Sequence, residues 1–149
     1  MNYKDIIKIR EFLIKNNLYK MYFYLMYWGL NSNSIFEYLD YLTKENNLEK
    51  IKEIGEKLER LYEGEKLFIK LVRLGKSSKG NKYSNEIKKL NQKYDYYINL
   101  LLSYLLQDKE KEYEELYNKF KDLLKKYEEL INKILYELYS ESKDKSYYL

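Results

Sequence analysis

The chain contains no histidine, no cysteine and no proline, and no alanine either. Each absence closes a class of mechanism. Without Cys no disulfide staples the fold, and thiols give no clue to redox compartment. Without Cys and His the usual ligands of zinc are missing, and the Glu-x-x-His pairs of di-iron bundles cannot be built. No metal and no cofactor is therefore expected. Cysteine nucleophiles and histidine general bases are gone as well, so a catalyst would have to work with Asp, Glu, Lys and Tyr alone. Carboxylates such as Glu114, Glu115, Glu128 and Glu129 fall on the solvated face of a helical pattern among lysines. The expectation is a protein that is not an enzyme.

Long apolar runs are missing too. The most apolar stretch, LYKMYFYLMYWGL (18–30), is too short to span a bilayer and carries Lys20. The opening MNYKDIIKIREF has early charges and no uninterrupted apolar core of a signal peptide. No membrane role and a cytoplasmic location are expected.

What remains is a charged, Tyr-rich chain of 149 residues, with 35% charged residues and 20 tyrosines. That length suits a single domain with a real core. Lys, Asn, Ile and Tyr have AT-rich codons, so an AT-rich genome accounts for much of the Lys and Tyr content. Position and clustering carry the information that totals do not.

Apolar residues recur at three- and four-residue steps along almost the whole chain, which predicts an all-α fold of five or six helices. Ile6, Ile9 and Leu13 share one face of a first helix over 3–15, with Asn2 as its cap. A second helix over 18–28 is apolar nearly all round and is expected to be central, with Gly29 as its stop. Ser34 and Glu37 form a capping box for a third helix over 35–45, which buries Ile35, Tyr38, Leu39 and Leu42. A fourth starts after Asn47 and ends by Gly75, with Gly55 and Gly64 as weak points and a kink near 64. These helices fill 3–74.

A basic loop follows over 75–83, and then a long helical pattern over 84–140. Ile87, Leu90, Tyr94, Tyr97, Leu101 and Tyr104 make one stripe. Tyr113, Leu116, Phe120, Leu123, Tyr127, Leu130 and Ile134 make another with heptad spacing. The two are out of phase, so 84–140 is either one helix with a shifted seam or a helical hairpin turning at 107–111, with Asp108 as cap. The tail, 141–149, is expected to fray.

Gly75 and Gly80 have the G-x-x-x-x-G spacing of a phosphate-binding P-loop. Asn81 and Lys82 follow where Lys and then Ser or Thr are needed, and a helix precedes where a strand is needed, so that reading is rejected. Residues 26–39 resemble a helix-turn-helix in Gly29, Leu30, Ser34, Ile35 and Tyr38. The would-be recognition helix carries Glu37 and Asp40 and no base, and Leu25 stands where the close crossing usually has Ala. An ordinary helical hairpin fits these residues better.

The charge map is more informative. Residues 1–50 are net +1, 51–100 net +5 and 101–149 net −2. Between 66 and 93 nine bases face one acid, Glu86. Lys66, Lys70 and Arg73 step i, i+4, i+7 before the loop, and Lys82, Lys89 and Lys93 step i, i+7, i+11 after it. With Lys76 and Lys79 between them, and Tyr83 placed to stack on a base, this is the pattern of an electrostatic footprint on a phosphate backbone. Ser77, Ser78, Asn81, Ser84 and loop N–H groups add hydrogen-bond donors. The chain has only three Arg, so little base readout is expected. The partner is thus nucleic acid, DNA or RNA, met by a small subunit of a nucleoprotein assembly. The alternative is an adaptor or inhibitor, of phage or mobile-element type, whose basic patch meets an acidic protein surface and whose tyrosines anchor it. Leu124, Ile131 and Leu138 widen the second stripe and are the candidate surface for a homo-oligomer or a partner's helix.

Overall fold

A computed structural model describes residues 2–147, with side chains through Lys143. Among the described residues there are six α-helices and no strand: α1 (Tyr3–Lys15), α2 (Tyr19–Asn31), α3 (Asn33–Lys44), α4 (Leu48–Leu74), α5 (Ser84–Leu106) and α6 (Glu110–Tyr147). The all-α expectation holds. The stretch 84–140 is two helices parted at 107–109. Residues 141–147, expected to fray, continue α6, and 148–149 lie outside the described residues. No described helix is long and apolar enough to cross a membrane.

The chain divides into two compact units: residues 1–63 with 102–109, and residues 64–101 with 110–149. In the first, α1, α2 and α3 pack on one another and α2 meets the first part of α4; the buried residues include Ile9, Leu13, Leu25, Trp28, Ile35, Leu39, Ile54 and Leu58. The Trp28 indole N–H donates to the Leu58 carbonyl at 3.0 Å, which satisfies the one polar atom of a buried ring and ties α2 to α4. Lys50 pairs with Asp108 at the end of α5.

The helix boundaries have local causes. Asn2 caps α1 by accepting from Lys4 N–H at 3.0 Å. The cap of α3 is Ser32, which accepts from Ile35 N–H at 3.4 Å, and not Ser34, which lies inside the helix. Gly29 does not stop α2. It is buried in the last turn of α2, where Leu39 and Phe36 of α3 come close. Phe36 is in the core where Tyr38 was expected, and Tyr38 is half-buried.

In the second unit the rest of α4, α5 and α6 share a core of Leu71, Ile87, Leu90, Tyr94, Ile98 and Leu101 with the whole heptad stripe from Tyr113 to Ile134. Its centre is aromatic. Phe68 stacks on Tyr94 at 4.5 Å between centroids, and Tyr94 also meets Phe120 and Tyr127. Two of the buried phenols are bonded within this core: Tyr94 donates to Glu65, and Tyr127 donates to Asn91 Oδ1 at 2.7 Å. Burial pushes the Tyr127 phenol far above its ordinary range, so it stays a neutral donor. Along α5 the buried stripe turns to Ile98 and Leu105 in place of Tyr97 and Tyr104, which are half-buried.

Candidate nucleic-acid interface

The connection from α4 to α5 is a chain of tight turns closed on itself. Gly75 N–H donates to Leu71 O at 2.8 Å, Ser77 N–H to Leu74 O at 3.0 Å, Asn81 N–H to Ser77 O at 3.1 Å and Tyr83 N–H to Gly80 O at 2.9 Å. Ser77 Oγ donates to Leu74 O at 2.5 Å and accepts from Gly80 N–H at 3.0 Å. A Cβ on Gly80 would run into the Leu74 carbonyl, so only glycine fits there. These N–H groups and the Ser77 hydroxyl hold the loop's shape and do not project as a cradle for phosphate.

The end of α6 meets this loop. Tyr83 OH donates to Glu137 Oε1 at 2.7 Å, Lys82 Nζ lies 3.0 Å from Glu137 Oε2, and Ser78 Oγ donates to Glu141 Oε2 at 2.9 Å. The Tyr83 ring has the Lys82 and Lys133 ammonium groups at 5.3 and 5.2 Å from its centroid. The Tyr83 hydroxyl and then Lys82 hold the Glu137 carboxyl below the usual carboxylate range. The hydrogen bond to Glu137 in turn raises Lys82. Tyr83 is therefore half-buried and engaged at both ring and hydroxyl, which removes it as an open platform for a base.

The other bases remain at the surface. Lys66, Lys70 and Arg73 are exposed along α4, Lys76 is exposed in the loop, and Lys88, Lys89 and Lys93 are exposed on α5; Lys79 is half-buried. They do not meet in one cluster. Lys76 and Lys88 border a groove of about 420 Å³ floored by Val72, Gly75 and Ile87. Lys89 and Lys93 border another, of about 640 Å³, with Glu86, Leu90, Tyr96 and Tyr97. A hollow of about 180 Å³ brings Lys119 and Lys126 of α6 beside Lys93, with Asp122. Sequence reasoning passed over these two lysines because residues 101–149 are net negative. Their i, i+7 spacing was the available signal, since it puts them on one helix face.

Of Leu124, Ile131 and Leu138, the candidate association surface, only Ile131 is buried. Ile131 is 2% exposed, Leu124 and Leu138 are half-buried, and a Cβ on Gly64 would meet Leu124 at 3.2 Å. Among the α6 side chains described, the exposed large apolar ones are Leu135, Tyr136 and Tyr139. No protein family, curated protein or solved structure matches the chain.

Proposed function

We propose that this is a non-catalytic nucleic-acid-binding protein of the cytoplasm, a helical bundle whose α5–α6 hairpin and α4 end hold a phosphate backbone, as a small subunit of a nucleoprotein assembly. The observation that carries this reading is the exposure of eight of the nine bases between Lys66 and Lys93 against a single acid, Glu86. Folding gives no reason for so many exposed bases along one segment, because like charges oppose compaction; a polyanion neutralises them and releases its counterions.

Binding of a labelled duplex at about 50 mM salt, falling steeply as salt rises, is the expected result. Replacing Lys70, Lys76 and Lys89 together by Gln weakens binding by a similar factor for unrelated sequences, since backbone contacts carry no base information. Absence of binding by the wild-type chain at that salt sinks the reading.

One observation favours a second reading, an adaptor or inhibitor that docks on protein. In the first unit Phe23 is half exposed, and its ring lies within 6.0 Å of those of Tyr24, Tyr27 and Tyr62. Clustered aromatics of this kind anchor protein interfaces. A stoichiometric protein partner that survives nuclease treatment would place this reading first.

A further inference from the structure

Lys89, Lys93, Tyr96 and Tyr97 stand at i, i+4, i+7 and i+8, so they share one face of α5. Tyr96 is 65% exposed, and its ring lies 5.9 Å from that of Tyr97, with the planes 51° apart. Lys93 and Tyr97 line both the larger groove and the hollow, so the two adjoin along α5 and together form the candidate channel. One wall carries the lysines of α5. The other carries Lys119 and Lys126, about 10.5 Å apart along α6 from the helical rise. Four lysines line the channel against two acids, Glu86 and Asp122.

Two tyrosines beside rows of ammonium groups suit one kind of polyanion. A duplex hides the faces of its bases and offers only phosphates and groove edges. A single strand offers an unstacked base every nucleotide, and each base has a face that can lie on a tyrosine ring. Tyr96 lies outside the buried core, so packing does not account for an exposed aromatic beside the lysines.

We infer that this channel takes single-stranded nucleic acid, with bases on Tyr96 and Tyr97 and phosphates on Lys93, Lys119 and Lys126. The inference rests on the phosphate-backbone reading above and adds to it a substrate class and a stacking site.

The test uses the full chain with two labelled probes, an oligothymidylate and a mixed-sequence duplex carrying the same number of phosphates. The single strand is expected to bind more tightly. Tyr96→Ala should weaken single-strand binding roughly tenfold and leave duplex binding nearly unchanged, while Tyr96→Phe, which keeps the ring face, should bind like wild type. Lys119→Gln with Lys126→Gln should flatten the single-strand salt slope by about 1.4. Because all three residues are exposed, an unchanged circular dichroism spectrum is expected for each variant. If both probes bind but Tyr96→Ala has no effect, or weakens both equally, the single-strand site is overturned and the phosphate reading stands. If neither probe binds, both fall.

Discussion

Glycine and asparagine exchange their usual roles in this chain. None of the five glycines has a positive φ, whereas Asn17, Asn46 and Asp108 sit at φ 57°, 55° and 55°. Asn and Asp tolerate the left-handed region better than other side chains do, so they turn the chain. The glycines instead mark close approaches. A Cβ on Gly64 would meet the buried Phe120 ring at 2.6 Å; on Gly55 it would meet the flexible Met21 sulfur at 2.8 Å; on Gly29 it would make an ordinary 3.4 Å contact with Leu39. Alanine gains about 1 kcal/mol of helix propensity at each site, and overpacking a core costs about 1–3 kcal/mol. Gly29→Ala should therefore raise the urea midpoint slightly, Gly55→Ala should change it little, and Gly64→Ala should lower it clearly. Equal effects at all three would refute the close-approach account. The sequence shows that glycine interrupts a helical pattern at 29, 55 and 64. It cannot show what lies opposite, and that is why a stop was expected at Gly29, where α2 continues against Leu39 and Phe36 of α3.

At the level of elements, the ends of α1 and α4 were legible, whereas those of α2 and α3 were not. Asn17, Asn46 and Asp108 each close a helix with the same pair of backbone bonds: the next residue's N–H reaches back five residues (Leu18 to Leu13, Asn47 to Leu42, Lys109 to Tyr104) inside a shorter bond. The out-of-phase stripes located the break before Glu110, but Asp108 ends α5 where it was expected to cap the following helix. Contacts distant in sequence were not legible, and the clearest case is the α6 end on the loop, where Glu137 and Glu141 lie more than fifty residues from Tyr83 and Ser78. The depressed Glu137 carboxyl has a pH consequence. Its contribution to stability is fully present above the ordinary carboxylate pKa and is lost as pH falls through the depressed value. The raised Lys82 has the opposite sense: its contribution is present below the ordinary lysine pKa and disappears at higher pH. The contact is thus complete around neutrality. Carboxyl-carbon NMR should show Glu137 titrating below an ordinary glutamate, and Tyr83→Phe should move it back up. An ordinary midpoint in the wild type would mean that the contact does not persist in solution.

For the whole molecule, charge is divided along the two units. The first holds eleven basic and eleven acidic residues, and the second seventeen and thirteen, so the entire +4 belongs to the second. Segment totals along the chain located the excess at 51–100 but blurred its boundary, because α4 and α5 each run through both units. This division separates two ways a basic protein can bind a polyanion. Attraction to net charge alone responds equally to any three lysines removed. Phosphate contacts at a defined surface respond only to lysines on that surface. Lys8, Lys20 and Lys52 are exposed in the first unit, and Lys70, Lys76 and Lys89 are exposed in the second; replacing either set by Gln takes the same three charges from the chain. On a duplex each lost phosphate contact flattens the plot of log affinity against log salt by about 0.9. The second-unit triple should therefore flatten that slope by nearly 3, while the first-unit triple leaves it within about 0.5 of wild type. Equal changes from the two triples would mean that the protein senses polyanions by net charge, with no defined surface at all.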